Sequence, residues 1–184
     1  MSLRSAGARR RDVAAHEYVA AMTSLASGVV VVTGRHEGRP WGMTVTAFAS
    51  VSVEPPTVLV SLGSRTVSAG AIAATGAFGV SILTRDQLDV AEYGARSGAP
   101  KFLDTLVERG ERASASPAIA NALAHFDCTV VDAVDVADHT VFFGDVRAVR
   151  SGRCGEPLVY HGRGYGSFSP VEPATERTLR CISS

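Results

Sequence analysis

Two β-prone runs, Val29-Val30-Val31-Val32-Thr33 and Gly42 to Ser52, lie almost end to end in the chain, parted mainly by the turn-prone Gly34-Arg35-His36-Glu37-Gly38. Parallel strands need a crossover of about a dozen residues or more, usually a helix, so runs this close pair as an antiparallel hairpin. Near the other end, Ala124–Val134 and His139–Ser151 are joined by a turn at Asp135–Asp138. Consecutive strands at both ends exclude a doubly wound parallel sheet, which alternates strand with helix.

Gly42 to Ser52 carries a hydroxyl on alternate residues. With a side-chain period of two, Thr44, Thr46, Ser50 and Ser52 fall on one side with Phe48, and Met43, Val45, Ala47, Ala49 and Val51 on the other. The second side reads as core. The hydroxyl side is too polar for a dry core and too poor in charge for an ordinary solvated face, so two readings fit it: the lining of a cavity that holds something polar and flat, or an exposed Thr/Ser strand face.

The other elements follow in order. Residues 1–11, with Arg4 and Arg9-Arg10-Arg11 among small residues, read as a mobile arm. Asp12 reads as the N-cap of a short amphipathic helix carrying Tyr18, Ala21, Met22 and Leu25 and stopped by Gly28. After Ser52, Glu54-Pro55-Pro56 breaks the ladder, and Thr57–Leu62 is a third strand. Gly63-Ser64-Arg65-Thr66 then opens an Ala-rich helix, Val67–Thr75, stopped at Gly76. Ala77–Leu83 is a strand, Asp86 caps a second helix to Tyr93, and Ala95–Val107 is loop. Pro117 opens a helical turn through Leu123, Pro157–His161 is a last strand, and 169–184 is a tail. Six or seven strands with a few short helices point to an antiparallel barrel with helices packed outside. Residues 12–168 form this domain.

The start of the helix at Val67 gathers unpaired backbone N–H groups, the Ser61, Ser64 and Thr66 hydroxyls, a permissive Gly63 and the Arg65 guanidinium. Those are the parts of a phosphate clamp. They also fit a helix capped by Ser64 with Arg65 in solvent. Lys101-Phe102 sets a cation beside a ring, suited to a phosphate and a stacked base or simply to surface and anchor.

Composition narrows the partners. Lys and Arg (18) equal Asp and Glu (18), so no net field favours nucleic acid or an acidic membrane, and a small molecule is the expected ligand. No window suits a spanning helix. Cys128, Cys154 and Cys181 form no C-x-x-C pair and leave an odd thiol, which fits the reducing cytoplasm. Gly162-Arg163-Gly164-Tyr165-Gly166 is not a dinucleotide fingerprint, because Ser167-Phe168-Ser169-Pro170 cannot begin the helix it requires; it reads as a glycine-rich terminal turn. His16, His36, His125, His139 and His161 show no metal-ligand spacing, and no G-x-S-x-G elbow is present, so neither a metal site nor hydrolysis is expected.

Taken together, Ser27 to Thr33, Gly42 to Ser52, Pro55-Pro56 and the Ser61 to Thr66 junction resemble the short-chain flavin reductases of the flavin-reductase-like, FMN-binding split-barrel family, from about Tyr18 to Phe168. The resemblance implies a mainly β, Greek-key antiparallel split barrel with a few short peripheral helices. It also implies hydride transfer from NADH or NADPH to FMN or FAD, with no catalytic residue from the protein. Reduced flavin would pass to a flavin-dependent monooxygenase, and the protein would be a homodimer. On this resemblance Thr44, Val45, Thr46 and Ala47 lie along the isoalloxazine and Ser50 near the ribityl chain. Ser61, Gly63, Ser64, Arg65 and Thr66 receive the phosphate, and Lys101 and Phe102 close over it. Asp138-His139-Thr140 is similar to the family's Gly-Asp-His motif, with Ala137 in place of the glycine, which implies a nicotinamide contact for His139; Tyr160 and Tyr165 flank the same side. Two further readings use the same barrel: a non-catalytic flavin-binding module, and a reductase that keeps its FMN and acts directly on a small organic substrate.

Overall fold

The computed structural model describes residues 13–109 and 115–171. In chain order these form α1 (Ala15–Met22), β1 (Ser27–Gly28), β2 (Val30–His36), β3 (Arg39–Val45), β4 (Phe48–Val53), β5 (Pro56–Gly63), α2 (Val67–Thr75), β6 (Ala77–Ile82), α3 (Leu88–Ala95), β7 (Ala124–Val136), β8 (His139–Ser151), β9 (Leu158–His161) and β10 (Gly164–Ser167). Seven strands make one antiparallel sheet in the order β3-β2-β6-β7-β8-β5-β4, and the three shortest make a second, β1-β9-β10. β3 and β4 sit on opposite edges of the large sheet, yet only Thr46 and Ala47 part them in sequence. That link reaches about 10 Å at most. The sheet therefore curls until its edges face one another, a barrel split at the seam between β3 and β4, as the consecutive-strand pattern predicts.

The seam corrects the reading of Gly42 to Ser52 as one strand. The break at Thr46-Ala47 shifts the alternation by one residue, so Met43, Val45 and Phe48 all pack against the barrel core. Ala49 and Val51, expected inside, are exposed, Val51 by 49%. A slip of one residue in a strand exchanges its faces, and the two-residue kink does the same for the residues after it as far as Ser50, where an irregularity between Ser50 and Ser52 leaves Val51 unpaired.

β2 explains why its apolar run does not alternate. Val30 and Val32 face the barrel interior with Val60, Leu62, Phe78, Val80 and Phe142, where α2 adds Ala69 and Ile72. Val29 and Val31 face outward, into a second core with Leu83, Ala91, Leu103, Ile119 and Leu158. A strand covered on both faces reads as a continuous hydrophobic run.

Several boundaries differ from expectation. α1 ends at Met22, well before Gly28, which instead pairs with Val159 in the small sheet. None of its residues is buried, and Tyr18 is 61% exposed. Asp12, expected as its cap, lies outside the described residues together with the 1–11 arm; Ala14 occupies the cap position, where the Glu17 carboxylate accepts its N–H at 3.2 Å. The second helix begins earlier than Asp86: Thr84 precedes a 3₁₀ turn over Arg85–Gln87, and the Gln87 side-chain oxygen accepts the Thr84 N–H at 3.1 Å. The helical turn expected at Pro117–Leu123 is reduced to one non-helical turn at Ala120–Asn121, where the Ala122 N–H donates to the Ile119 carbonyl at 3.4 Å. Ile119 bridges Val107 there instead, because a strand-like pairing satisfies a segment too short for a helix. The terminal glycine-rich segment contains a strand as well as a turn: Gly162 and Arg163, at φ 58° and 64°, form the turn that lets β10 fold back on β9.

Candidate active site

α2 runs over the span expected from sequence, but its cap is Thr66 and not Ser64: the Thr66 hydroxyl oxygen accepts the Ala69 N–H at 3.2 Å. Ser64 is taken up elsewhere. Its N–H donates to the Asp138 carbonyl at 2.9 Å, and its hydroxyl lies 3.0 Å from that of Thr140. Gly63 pairs with His139 across β5 and β8. The end of β5 thus sets the expected phosphate residues beside the expected nicotinamide residue. His139 is exposed, and its Nδ1 lies 2.8 Å from the Asp138 carboxylate. That bond is the main reason the Asp138 carboxyl sits below the usual carboxylate range.

Ala137, where the family motif has glycine, adopts φ 54°, the left-handed conformation glycine takes easily. The turn is tighter than the expected Asp135–Asp138, since β7 reaches Val136 and β8 starts at His139. The cost is about 1 kcal/mol of local strain.

From Arg65 the chain enters a cleft of about 690 Å³ at the barrel mouth. One wall is the start of α2, with Arg65 and Thr66; a second is the loop ending in Lys101 and Phe102; the third is the tip of the β2–β3 hairpin, with His36, Glu37 and Trp41. The loop is strapped to β3, because the Gly42 N–H donates to the Lys101 carbonyl at 3.2 Å and the Leu103 N–H to Pro40 at 2.9 Å. The Tyr93 hydroxyl anchors it again on the Phe102 carbonyl, at 2.9 Å. Burial alone draws the Lys101 ammonium below its ordinary value, with no carboxylate opposing the shift. The Arg65 guanidinium makes no hydrogen bond or ion pair with a described residue, although its charge reaches Asp138.

The residues expected along the flavin ring divide. Thr44 and Val45 pair with Val31 and Val30. The Thr44 hydroxyl is buried beneath Gly94 with no hydrogen-bond partner, and Val45 packs on the barrel core, so neither side chain faces the cleft. Thr46 and Ala47 lie in the exposed seam. Their carbonyls accept from Phe48 and Ser61, both at 3.0 Å, while their N–H groups donate to no described residue. Ser50 is exposed at an irregularity in β4, and Ser61, half-buried, lies beside Ala47. Tyr160 and Tyr165 are not brought to this region: they pack edge to face, 5.2 Å between centroids, in the small sheet over the outer core.

Sequence reasoning missed the hairpin tip. Trp41 pairs with Gly34 and bridges Phe102, and the only signal was its register, two residues before Met43 on the same strand face. It also missed a buried polar network in which Ser81 lies 2.9 Å from His125 Nδ1 and Ser116 3.1 Å from Nε2, with Asp127 on the Ser116 N–H at 2.7 Å.

Residues 22–169 match the family model described as a flavin reductase like domain. The chain is 37% identical over 155 residues to the reductase component of a 4-nitrophenol 4-monooxygenase/4-nitrocatechol 2-monooxygenase from Rhodococcus opacus, an alignment covering 84% of this chain and 82% of that protein. It is 34% identical over 149 residues to an actinorhodin polyketide dimerase of Streptomyces coelicolor, covering 80% of this chain and 83% of that one. An NADH:FAD oxidoreductase of Streptomyces globisporus, solved with NAD and FAD fragments, superposes with a TM-score of 0.76 at 31% identity, over 85% of this chain and 93% of that chain. With a family model spanning most of its length and relatives of this similarity, the chain belongs to the flavin reductase family.

Proposed function

We propose that this protein is an NAD(P)H:flavin oxidoreductase, accepting NADH or NADPH, that delivers reduced FMN or FAD to a partner monooxygenase. The observation that carries the reading is the cleft with Lys101 and Arg65 in its walls, neither cation in an ion pair with a described carboxylate, at the start of a helix. A partly buried ammonium without a counter-ion is stabilised by an incoming anion. The site therefore fits a phosphorylated ligand. The exposed Thr46 and Ala47 N–H groups fit the acceptor edge of a flat heterocycle. When bound, the flavin supplies the hydride-accepting ring, and the chain's own residues only hold and align.

In this reading Thr46 and Ala47 orient the ring by backbone contacts, with Thr44 and Val45 fixing the strand behind them. Ser50 lies along the ribityl chain, and Ser61 stands at the start of the phosphate end. Gly63, Ser64, Arg65, Thr66, Lys101 and Phe102 form the phosphate end, and His139 meets the nicotinamide nucleotide. The functional domain spans 12–168, and the protein works in the cytoplasm. It acts as a homodimer, a state supported by exposed Val51, Val53, Val131 and Val136 on β4 and β7; light scattering tests that. The central test is steady-state loss of nicotinamide absorbance on adding FMN or FAD. No flavin-dependent oxidation with either nicotinamide nucleotide overturns the reading.

The polyketide dimerase among the relatives favours a second reading, in which the same barrel holds flavin permanently and acts on an organic substrate directly. A protein that purifies yellow and keeps its flavin on dialysis supports this alternative over the first.

A further inference from the structure

The fold treats the cysteines of the chain differently. Cys128 lies on β7 inside the barrel core, where burial pushes its thiol up to about 12, so it stays protonated and unreactive. It is a free thiol. Cys154 is exposed in the loop that joins β8 to β9, and it is disulfide-bonded. The one other cysteine of the chain is Cys181, outside the described residues.

The loop around Cys154 is anchored on both sides. Before it, the Gly152 N–H donates to the Leu123 carbonyl at 2.9 Å and the Arg153 N–H to the Ala122 carbonyl at 3.1 Å. A side chain at position 152 would collide with that Ala122 carbonyl, so the close approach requires glycine. After it, the Arg85 N–H donates to the Glu156 carbonyl at 2.9 Å, the Arg85 guanidinium pairs with the Glu156 carboxylate at 2.8 Å, and Pro157 bridges Thr84. The sulfur is thus held at one place on the surface, at the opposite end of β8 from His139. The chain also returns to this place. β10 pairs antiparallel with β9, Ser167 opposite Leu158, so the backbone leaving β10 heads back toward Glu156 and Cys154. Ten residues separate Val171 from Cys181, a reach of up to about 33 Å.

We infer that Cys154 and Cys181 form a reversible redox clasp, closed by peroxide and opened by dithiols, that fastens the C-terminal segment to the β8–β9 loop. In a reducing compartment a disulfide is typically transient and redox-sensing. Closure balances as follows. One thiolate attacks an oxygen of hydrogen peroxide and the O–O bond breaks, giving a sulfenic acid and a hydroxide that takes up the thiol proton as water. The other sulfur then displaces the sulfenic hydroxyl, which leaves with the second thiol proton as another water, and the S–S bond forms. The two sulfurs lose the electron pair that the peroxide gains. A dithiol reverses this by exchange through a mixed disulfide. Reduced flavin that meets dioxygen in place of a monooxygenase is reoxidised and yields hydrogen peroxide. The source of the oxidant therefore rests on the proposed function, and the clasp itself does not.

Peptide mapping tests the pair. Trypsin cuts after Arg153, Arg163 and Arg180, so without a reductant peptide 154–163 should be found joined to the peptide that begins at Cys181. After reduction and removal of the dithiol, hydrogen peroxide should restore the linked peptide and lower the mass by about 2 Da, the two thiol hydrogens. Cys154→Ser should lose the linked peptide and Cys128→Ser should keep it, each variant checked for folding by circular dichroism. Peptide 154–163 joined to its own copy from another chain, or to the peptide holding Cys128, overturns the inference. So does peroxide that carries the thiols to sulfinic acid without forming the bond. Reduced protein turning over NADH, flavin and air, with and without catalase, then tests the oxidant: closure that catalase prevents supports the flavin source. Closure by added peroxide but not during turnover overturns that source. A linked peptide in a protein that reduces neither flavin overturns the proposed function and leaves the clasp standing; reduction by a protein that never forms the peptide does the reverse.

Discussion

Around His125 the protein satisfies its own polar groups: both ring nitrogens face hydroxyls, Ser81 also accepts the Ile119 N–H at 3.0 Å, and Asp127 takes the backbone N–H of Ser116. The hollow of about 660 Å³ beside it is lined by Glu108 and Arg150, which pair with each other. The cleft at the barrel mouth has the opposite outcome, since Lys101 and Arg65 face the space without an ion pair to a described carboxylate, although Glu37 lines the same cleft. Buried polar groups that find partners inside the fold rigidify it, whereas cations that line an open cleft without an ion pair remain available to an incoming anion. A serine, histidine and aspartate close together are therefore structural here, and two cations without an ion pair among the described residues mark the candidate site.

Substitutions at the two places therefore separate stability from binding. Gly79→Ala should have the largest effect, because a Cβ there would collide with Ser116 Oγ and Thr33 Oγ1 and lie 2.6 Å from His125 Cε1. These atoms belong to a packed network, so the expected loss is about 3 kcal/mol of stability, read from denaturant unfolding. Arg65→Ala should leave the unfolding midpoint in place and weaken flavin binding by about tenfold, the worth of one charge-assisted hydrogen bond. Unchanged flavin binding in Arg65→Ala would break the contrast from the cleft side.

The turn between β7 and β8 tests how the two kinds of region meet. Ala137→Gly relieves a left-handed alanine and should stabilise the fold by about 1 kcal/mol. The neighbouring His139→Ala should raise the KM for NADH a few-fold with flavin affinity unaltered, since its ring is exposed and its hydrogen bond goes to another surface residue, Asp138. Equal weakening of both cosubstrates would move His139 into the flavin site.

How much of this was legible in the sequence depended on the range of the interaction involved. α2 was readable to the residue because its stop is local: Gly76 at φ 66°, its N–H on the Ile72 carbonyl at 2.8 Å. Arg65, Thr66, Lys101 and Phe102 were named from residue type, and they converge because a strap of backbone hydrogen bonds ties their loop to β3. The kink at Thr46-Ala47 was hidden, since β-prone residues continue across it and only closure of the barrel demands a break. Trp41 and His36 looked like ordinary strand and turn residues until the hairpin register set them opposite Phe102. Ser81, Ser116, His125 and Asp127 share no spacing a motif could capture; three separate segments bring them together.

The smallest expected effect is the dependence on pH, and it has opposite signs in the two regions. Burial lowers the His125 pKa from the ordinary 6.5. Burial also pushes the Asp127 carboxyl up, but the Ser116 hydroxyl and N–H together with His125 outweigh it and hold that group below 3.8. In both cases the unfolded chain takes up a proton where the folded one does not, so stability is full above the ordinary value and falls as pH drops through it. Thermal unfolding should therefore be level at neutral pH and decline below about 6.5, with a further decline below about 3.8. His125→Gln should remove the upper part of that decline only. A His125 imidazolium paired with Asp127, 3.5 Å away, would instead make the fold more stable as pH falls through the same window. In the cleft, burial lowers Lys101 from 10.5, so flavin affinity should weaken on the alkaline side, as the ammonium is lost, while the fold itself, relieved of a partly buried ammonium, should gain slightly in stability over the same range. Measuring both curves on one preparation asks whether the network fails from acid and the cleft from base; a common midpoint for the two would mean that one set of groups governs both.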